Sequence, residues 1–156
     1  EKTSIRSVLP DFKLSQKLIL VHNSFTRTEE IEWANSNWPN LFWCSCPSAN
    51  IYIELRVPKV SEWLKAGAKV CLGTDSLASN DSLSMIQEMS LTQMRCREIS
   101  SNQIIEMATH NGALALGLEN RFGLLRKGRD SGVILLSEIT SEDSRITDRT
   151  NVTRLA

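Results

Sequence analysis

Two residues able to move a proton or hold a cation sit at comparable places in the chain. His22 ends the run KLILVH (17–22), and Asp75 ends AKVCLGTD (68–75). Between them, LFWCSC (41–46) turns a corner at Ser45, Cys46 and Pro47. An imidazole beside a carboxylate suits metal ligation or proton transfer. Each residue also has a structural reading. A lone histidine after an apolar strand is often a packed residue, and an aspartate after Gly-Thr often caps a turn or helix. Cys44 and Cys46 alternate on one run and point to the same side, either as a thiol nucleophile or, the reading preferred here, as buried filler. His110 lies in a helical pattern among apolar neighbours and reads as structural. No G-x-S-x-G elbow, Walker loop, G-x-G-x-x-G or H-E-x-x-H motif occurs.

The elements that must position these residues follow from periodicity. Three apolar, non-alternating runs centre near residues 20, 44 and 71, and each is followed by a helical pattern. Thr26 and Glu29 have capping-box spacing and open TEEIEWANSN. PKVSEWLKAG starts with Pro58 near a first turn and stops at Gly67. SLSMIQEMSLTQMRCRE places Leu83, Ile86, Met89, Leu91 and Met94 near helical spacing. Such runs are the mark of parallel strands buried on both faces, hence an α/β fold in a βαβαβα order. Steps of 24 and 27 residues fit either a doubly wound sheet or a (β/α)8 barrel, whose units average about 30 residues. In both, ligands meet the carboxyl ends of the strands, so His22, the Ser45–Pro47 corner and Asp75 are expected at one mouth. Beyond them, 100–117 reads as one or two helices closed by Gly117. Residues 122–136 read as a hairpin-like pair of β segments around a Gly-rich turn. The tail after Ser137 is polar, with Ile146, Val152 and Leu155 as strand candidates.

Composition narrows the class. The 156 residues suffice for one domain with a real core, and 41% are hydrophobic. Lys+Arg and Asp+Glu number 18 each, without a block of like charge, so neither nucleic acid nor an anionic membrane is an expected partner. No apolar run reaches the roughly 20 residues of a membrane span. Cys44, Cys46, Cys71 and Cys96 lack zinc-finger spacing, and three lie in apolar runs, so reduced thiols and a cytoplasmic setting are expected. The chain begins at Glu1 with residues that look like mid-helix, and it is expected to be a piece of a longer protein.

The ordered set LILVHN (18–23), CPSANIYI (46–53), LKAGAKVCLGTDSLASND (64–81), MATHNGALALGL (107–118) and GLLRKGRDSGVILL (123–136) resembles the metal-dependent amidohydrolase superfamily. Within it, the branch of ring deaminases and chlorohydrolases is the nearest. The resemblance implies an α/β fold in which residues 1–120 form the C-terminal part, strands six to eight, of a TIM-like (β/α)8 barrel. Residues 121–156 would form part of a small β-sandwich subdomain. It implies hydrolysis of carbon–nitrogen bonds other than peptide bonds, on a small heterocyclic amine, with metal-activated water as the nucleophile. His22 would orient or polarise the attacking water or the substrate. Asp75 would be a metal ligand that also takes a proton from the bound water. Ser48 and Asn50 would border the substrate, and Ser76 to Asn80 would line the mouth. The metal would be divalent, zinc or else iron.

The chain also departs from the family pattern. The family's His-x-His pair and its strand-five histidine would precede residue 1, so the site is expected to be incomplete in this chain. Ser48 and Ala49 follow Pro47 where guanine-binding relatives often carry Arg. The family's late Ala-Asp pair is matched only loosely by Asp130-Ser131-Gly132. Two other readings stand beside the hydrolase: an inactive folding or association unit that pairs with the missing N-terminal half or with itself, and a small-molecule-binding α/β domain.

Overall fold

In a computed structural model that describes residues 4–130, 132–139 and 145–155, the three apolar runs form one parallel sheet. Its strands are β1 (Leu18–Val21), β2 (Leu41–Ser45) and β3 (Val70–Leu72), side by side in that order. Leu18 pairs with Leu41 and Val21 with Cys44, while Trp43 pairs with Val70 and Ser45 with Leu72. The register brings the three carboxyl ends level, the condition for residues far apart in sequence to share a mouth.

Alternation along the strands separates two faces. Leu18, Leu20, Leu41, Trp43, Val70 and Leu72 point into the main core. There they meet Ile5 of α1 (Ser4–Val8), Ile31 and Ala34 of α2 (Thr28–Asn37), and Val60 and Trp63 of α4 (Val60–Lys65). Met89 of α5 (Met85–Arg95), and Ile104 and Met107 of α6 (Ser101–Ala108), complete this layer. Trp43 is its centre: the side chain is fully buried, its ring lies 5.6 Å from that of Trp63, and Nε1–H donates to Asn35 Oδ1 at 2.9 Å. The other face carries a thinner cluster of Phe42, Cys71 and Cys44 against α7 (His110–Leu116). Burial on both faces, expected of all three strands, holds for β2 and β3. On β1 the second face is open, with Ile19 37% and Val21 46% exposed.

Several local expectations shift. The reciprocal bond at the start of α2 is displaced by one residue, because Glu30 accepts from the Arg27 N–H at 3.0 Å while Thr26 turns back onto Asn23. After the corner at Pro47 the chain forms helix α3 (Pro47–Glu54), with Pro47 in the first turn, where its missing N–H costs nothing. On α5 the buried face is Glu88, Met89, Thr92 and Gln93, whereas Met94 on the helix and Leu83 ahead of it are exposed. The polar members are buried because each has a partner; Gln93, for example, donates to the Ile99 carbonyl at 2.8 Å. The 100–117 segment is two helices, α6 and α7, broken at Thr109 and closed by Gly117 at φ 71°.

Among the described residues the expected hairpin within 122–136 does not form. Only its second half is a strand, β4 (Ile134–Ser137), and it pairs antiparallel with β5 (Asn151–Arg154). Leu135 stands opposite Thr153, and Leu136 opposite Val152. Ile146 is a core residue rather than a strand residue, fully buried with the main cluster. Ser131, part of the loosely matched Asp130-Ser131-Gly132, lies outside the described residues, as does part of the 137–150 tail. Among the described residues no helix is long and apolar enough to cross a membrane.

Candidate active site

Each site residue is aimed by its strand and then by a turn. The ladder continues one step beyond β1, since His22 N–H donates to the Cys44 carbonyl at 3.0 Å. The chain then leaves the sheet through two left-handed residues, His22 at φ 70° and Asn23 at φ 52°. Asn23 Nδ2 donates back to the Val21 carbonyl at 2.9 Å, which offsets part of the cost of that turn. Asp75 repeats the device: Gly73 N–H continues the ladder to the Ser45 carbonyl at 3.0 Å, and Asp75 then takes φ 58°. Non-glycine residues in this region are uncommon and recur where a side chain must be re-aimed.

The two turns bring the side chains together. His22 Nε2 lies 3.7 Å from Asp75 Oδ2, and both side chains are about one third exposed at 31% and 32%. This is longer than a direct hydrogen bond. Asp75 Oδ2 also accepts from Ser79 Oγ at 2.7 Å. Sequence reasoning placed Ser79 only as part of the mouth; its bond fixes the carboxylate's rotamer.

Asn50, expected along the border of the substrate, packs against the His22 ring. It is fully buried behind His22. Its Oδ1 accepts from the Cys46 N–H at 3.2 Å, and its Nδ2 faces His22 Nδ1 at 3.3 Å, Ser24 Oγ at 3.0 Å and Glu54 Oε2 at 3.0 Å. Ser48 is half-buried at the start of α3, and its N–H donates to Glu88 Oε2 at 2.9 Å. Ser76 is exposed beside Asp75, where its Oγ accepts from the Ala78 N–H.

Glu88 is the residue that motif reading missed. Fully buried on α5, its carboxylate also accepts from Asn80 Nδ2 at 2.8 Å, and the same amide donates to the Thr74 carbonyl at 2.9 Å. Glu88 thus ties the loop that carries Asp75 to the helix that carries Asn50. A signal was present, for Glu88 follows Met85 by three residues and precedes Thr92 by four, a carboxylate on the inward stripe of a helix.

Cys46, Cys71 and Cys96 are buried and Cys44 is half-buried. Cys44 and Cys46 sulfurs are 3.9 Å apart. The bond with Cys46 acts to lower the Cys44 pKa, but bonding with Cys71 and burial outweigh it and push this thiol up to about 12. Cys46 is raised by its bond with Cys44 and by burial, whereas Cys71 is lowered by its bond with Cys44. His110 opens α7, and its backbone runs close to Gly123.

One imidazole and one carboxylate do not form a metal cage. Among the described residues no three His, Cys, Asp or Glu side chains are grouped to hold a metal ion, so this chain alone does not fit one.

Known proteins resemble this chain in sequence and fold. The profile of the amidohydrolase family matches residues 1–153. The 5-methylthioadenosine/S-adenosylhomocysteine deaminase of Moorella thermoacetica is 37% identical over 98 residues, which is 58% of this chain and 23% of that protein. The enzyme of the same name from Pyrococcus furiosus is 32% identical over 131 residues, covering 80% of this chain and 30% of its own length. An adenosine deaminase from Xanthomonas campestris, solved with bound zinc, superposes with a TM-score of 0.68 at 23% identity. That match covers 76% of this chain and 28% of the deaminase, and it speaks for the fold. The chain therefore spans less than a third of the length of each of these relatives.

Proposed function

The chain belongs to the amidohydrolase family, and from that premise we propose that it is part of a hydrolytic deaminase acting on an amine-bearing heterocycle. In this reading water adds to the ring carbon that carries the amine, the carbon–nitrogen bond breaks, and ammonia leaves with the proton that water gave up. His22 and Asp75 share the proton and charge work, because together they present one group that can accept a proton and one that can donate one. Residues 1–120 would form strands six to eight and their helices in a TIM-like (β/α)8 barrel, and 121–156 part of a β-sandwich subdomain. Ser48 and Ser76 would border the substrate. The thiols and the composition accord with a cytoplasmic setting.

A divalent metal, zinc or else iron, belongs to this reading with Asp75 as one ligand and the others outside this chain. Such an ion supplies a water whose pKa is lowered toward about 7. What Asp75 itself contributes is an oriented carboxylate, held by Ser79 and facing His22.

The observation that carries the proposal is the 3.7 Å approach of His22 to Asp75 at the level carboxyl ends of β1 and β3. The test is turnover of methylthioadenosine and related aminopurines by the full-length protein. Asp75→Asn and His22→Ala are each expected to lower kcat by about 100-fold or more. Full turnover in either variant would end the assignment.

For the chain in isolation a second reading has its own support. The open face of β1, with Ile19 and Val21 exposed, favours association with further strands or with another copy. Size-exclusion chromatography of the isolated chain, together with metal analysis, tests it; a monomer holding stoichiometric metal would contradict it.

A further inference from the structure

We propose that Asn50 is a positioning residue that holds the His22 ring as its Nε2–H tautomer, with that hydrogen directed at Asp75. The inference rests on the assignment of His22 to the active site, and it starts from a donor whose identity is beyond choice. The Cys46 backbone N–H can only donate, so the Asn50 atom 3.2 Å away must be the carbonyl oxygen. The Asn50 NH2 group then points the other way. The Glu54 carboxylate, 3.0 Å from Nδ2, accepts only and fits that orientation.

His22 Nδ1 lies 3.3 Å from this NH2 group. A hydrogen on Nδ1 would set two N–H groups against each other, so Nδ1 must present its lone pair. The ring's hydrogen is left on Nε2, the atom 3.7 Å from Asp75 Oδ2. The NH2 group has two hydrogens and three neighbours, Ser24 Oγ, Glu54 Oε2 and His22 Nδ1, so one hydrogen is shared. Burial makes the arrangement strict: Asn50 is 0% exposed, and water cannot substitute for a lost partner. The β1 backbone fixes where the ring starts, α3 fixes which nitrogen carries the hydrogen, and β3 supplies the group it faces.

The test uses full-length protein labelled with 15N at histidine, and the His22 ring resonances are identified by their loss in His22→Gln. The expected spectrum of the unaltered protein is that of an Nε2–H ring; an Nδ1–H ring overturns the proposal without any further variant. Asn50→Asp keeps the size and the acceptor for Cys46 but replaces the donor facing Nδ1 with an acceptor. It is expected to move the hydrogen to Nδ1 and to lower kcat by about 10–100-fold with little change in KM. An Asn50→Asp protein with the original ring signature and full turnover overturns the proposal. Should Asn50→Asp not fold, the spectrum of the unaltered protein decides alone. If His22→Gln retains full turnover, the reading of the site fails, while the ring spectrum still judges the Asn50 contact.

Discussion

Glu88 on α5 accepts the backbone N–H of Ser48 at 2.9 Å, and so a buried carboxylate anchors the first turn of α3 from the neighbouring helix. Its other oxygen takes the Asn80 amide. Both partners are donors, and a carboxylate can satisfy both at once. The consequence is that the Asp75 loop and the Asn50 helix are held by one side chain.

Glu88→Ala should therefore leave the half-buried Ser48 N–H and one hydrogen of the buried Asn80 amide without this partner, and cost about 1–3 kcal/mol. Glu88→Gln is expected to be nearly as harmful, since its amide nitrogen must face one of the two donors. Urea denaturation of the full-length protein checks this. A Gln variant with an unchanged midpoint would contradict the geometry.

Ser79→Ala removes the 2.7 Å bond that fixes the Asp75 carboxylate. The expected outcome is a fall in kcat of about 10–100-fold with KM nearly unchanged. Steady-state kinetics on an aminopurine substrate measure it; a change confined to KM would place Ser79 on the substrate instead.

The thiols bear on pH. Bonding with Cys71 and burial outweigh the lowering by Cys46 and raise Cys44 from its ordinary 9.0 to about 12, so the neutral form predominates near neutrality and Cys44 should resist iodoacetamide at pH 7. A raised folded-state value favours the protonated thiol. The associated stability is thus present in full below pH 9.0 and is lost as pH climbs toward 12. Mass spectrometry of alkylated peptides at stepped pH follows it; rapid labelling of Cys44 at pH 7 would show that it is not held this way.

Gly123 has φ 89°, and a Cβ there would lie 2.8 Å from His110 Cα and 2.9 Å from Ala113 Cβ. The crowding comes from α7 itself, so no flexible side chain can yield. Gly123→Ala should cost roughly 2 kcal/mol or more, read as a lower denaturation midpoint. An unchanged midpoint would mean that the 122–124 segment packs differently.

Much of this was legible in the chain. Unbroken apolar runs between helical patterns sufficed for a parallel sheet, because strands covered by helices need no polar face. The strand-end rule then selected His22 and Asp75. Local signals failed where long-range partners decided. The GLLRKGRDSGVILL segment has turn residues that invite a hairpin, yet β4 finds its partner in β5, beyond residue 150. The apolar positions of α5 pointed to one face, while hydrogen bonds from Ser48, Asn80 and Ser101 made a polar face the buried one.

By itself the sequence determined the kinds of group available, the strands that carry them and the end of the sheet at which they gather. Periodicity and turn chemistry are local, and they can be read without knowing what lies across the fold. Only the tertiary structure decided that Asp75 faces His22 at 3.7 Å, that the buried Asn50 amide faces Nδ1 of the same ring, and that Glu88 ties the Asp75 loop to α3. Those facts depend on backbone turns at positive φ and on burial, and both are set by packing between segments far apart in the chain.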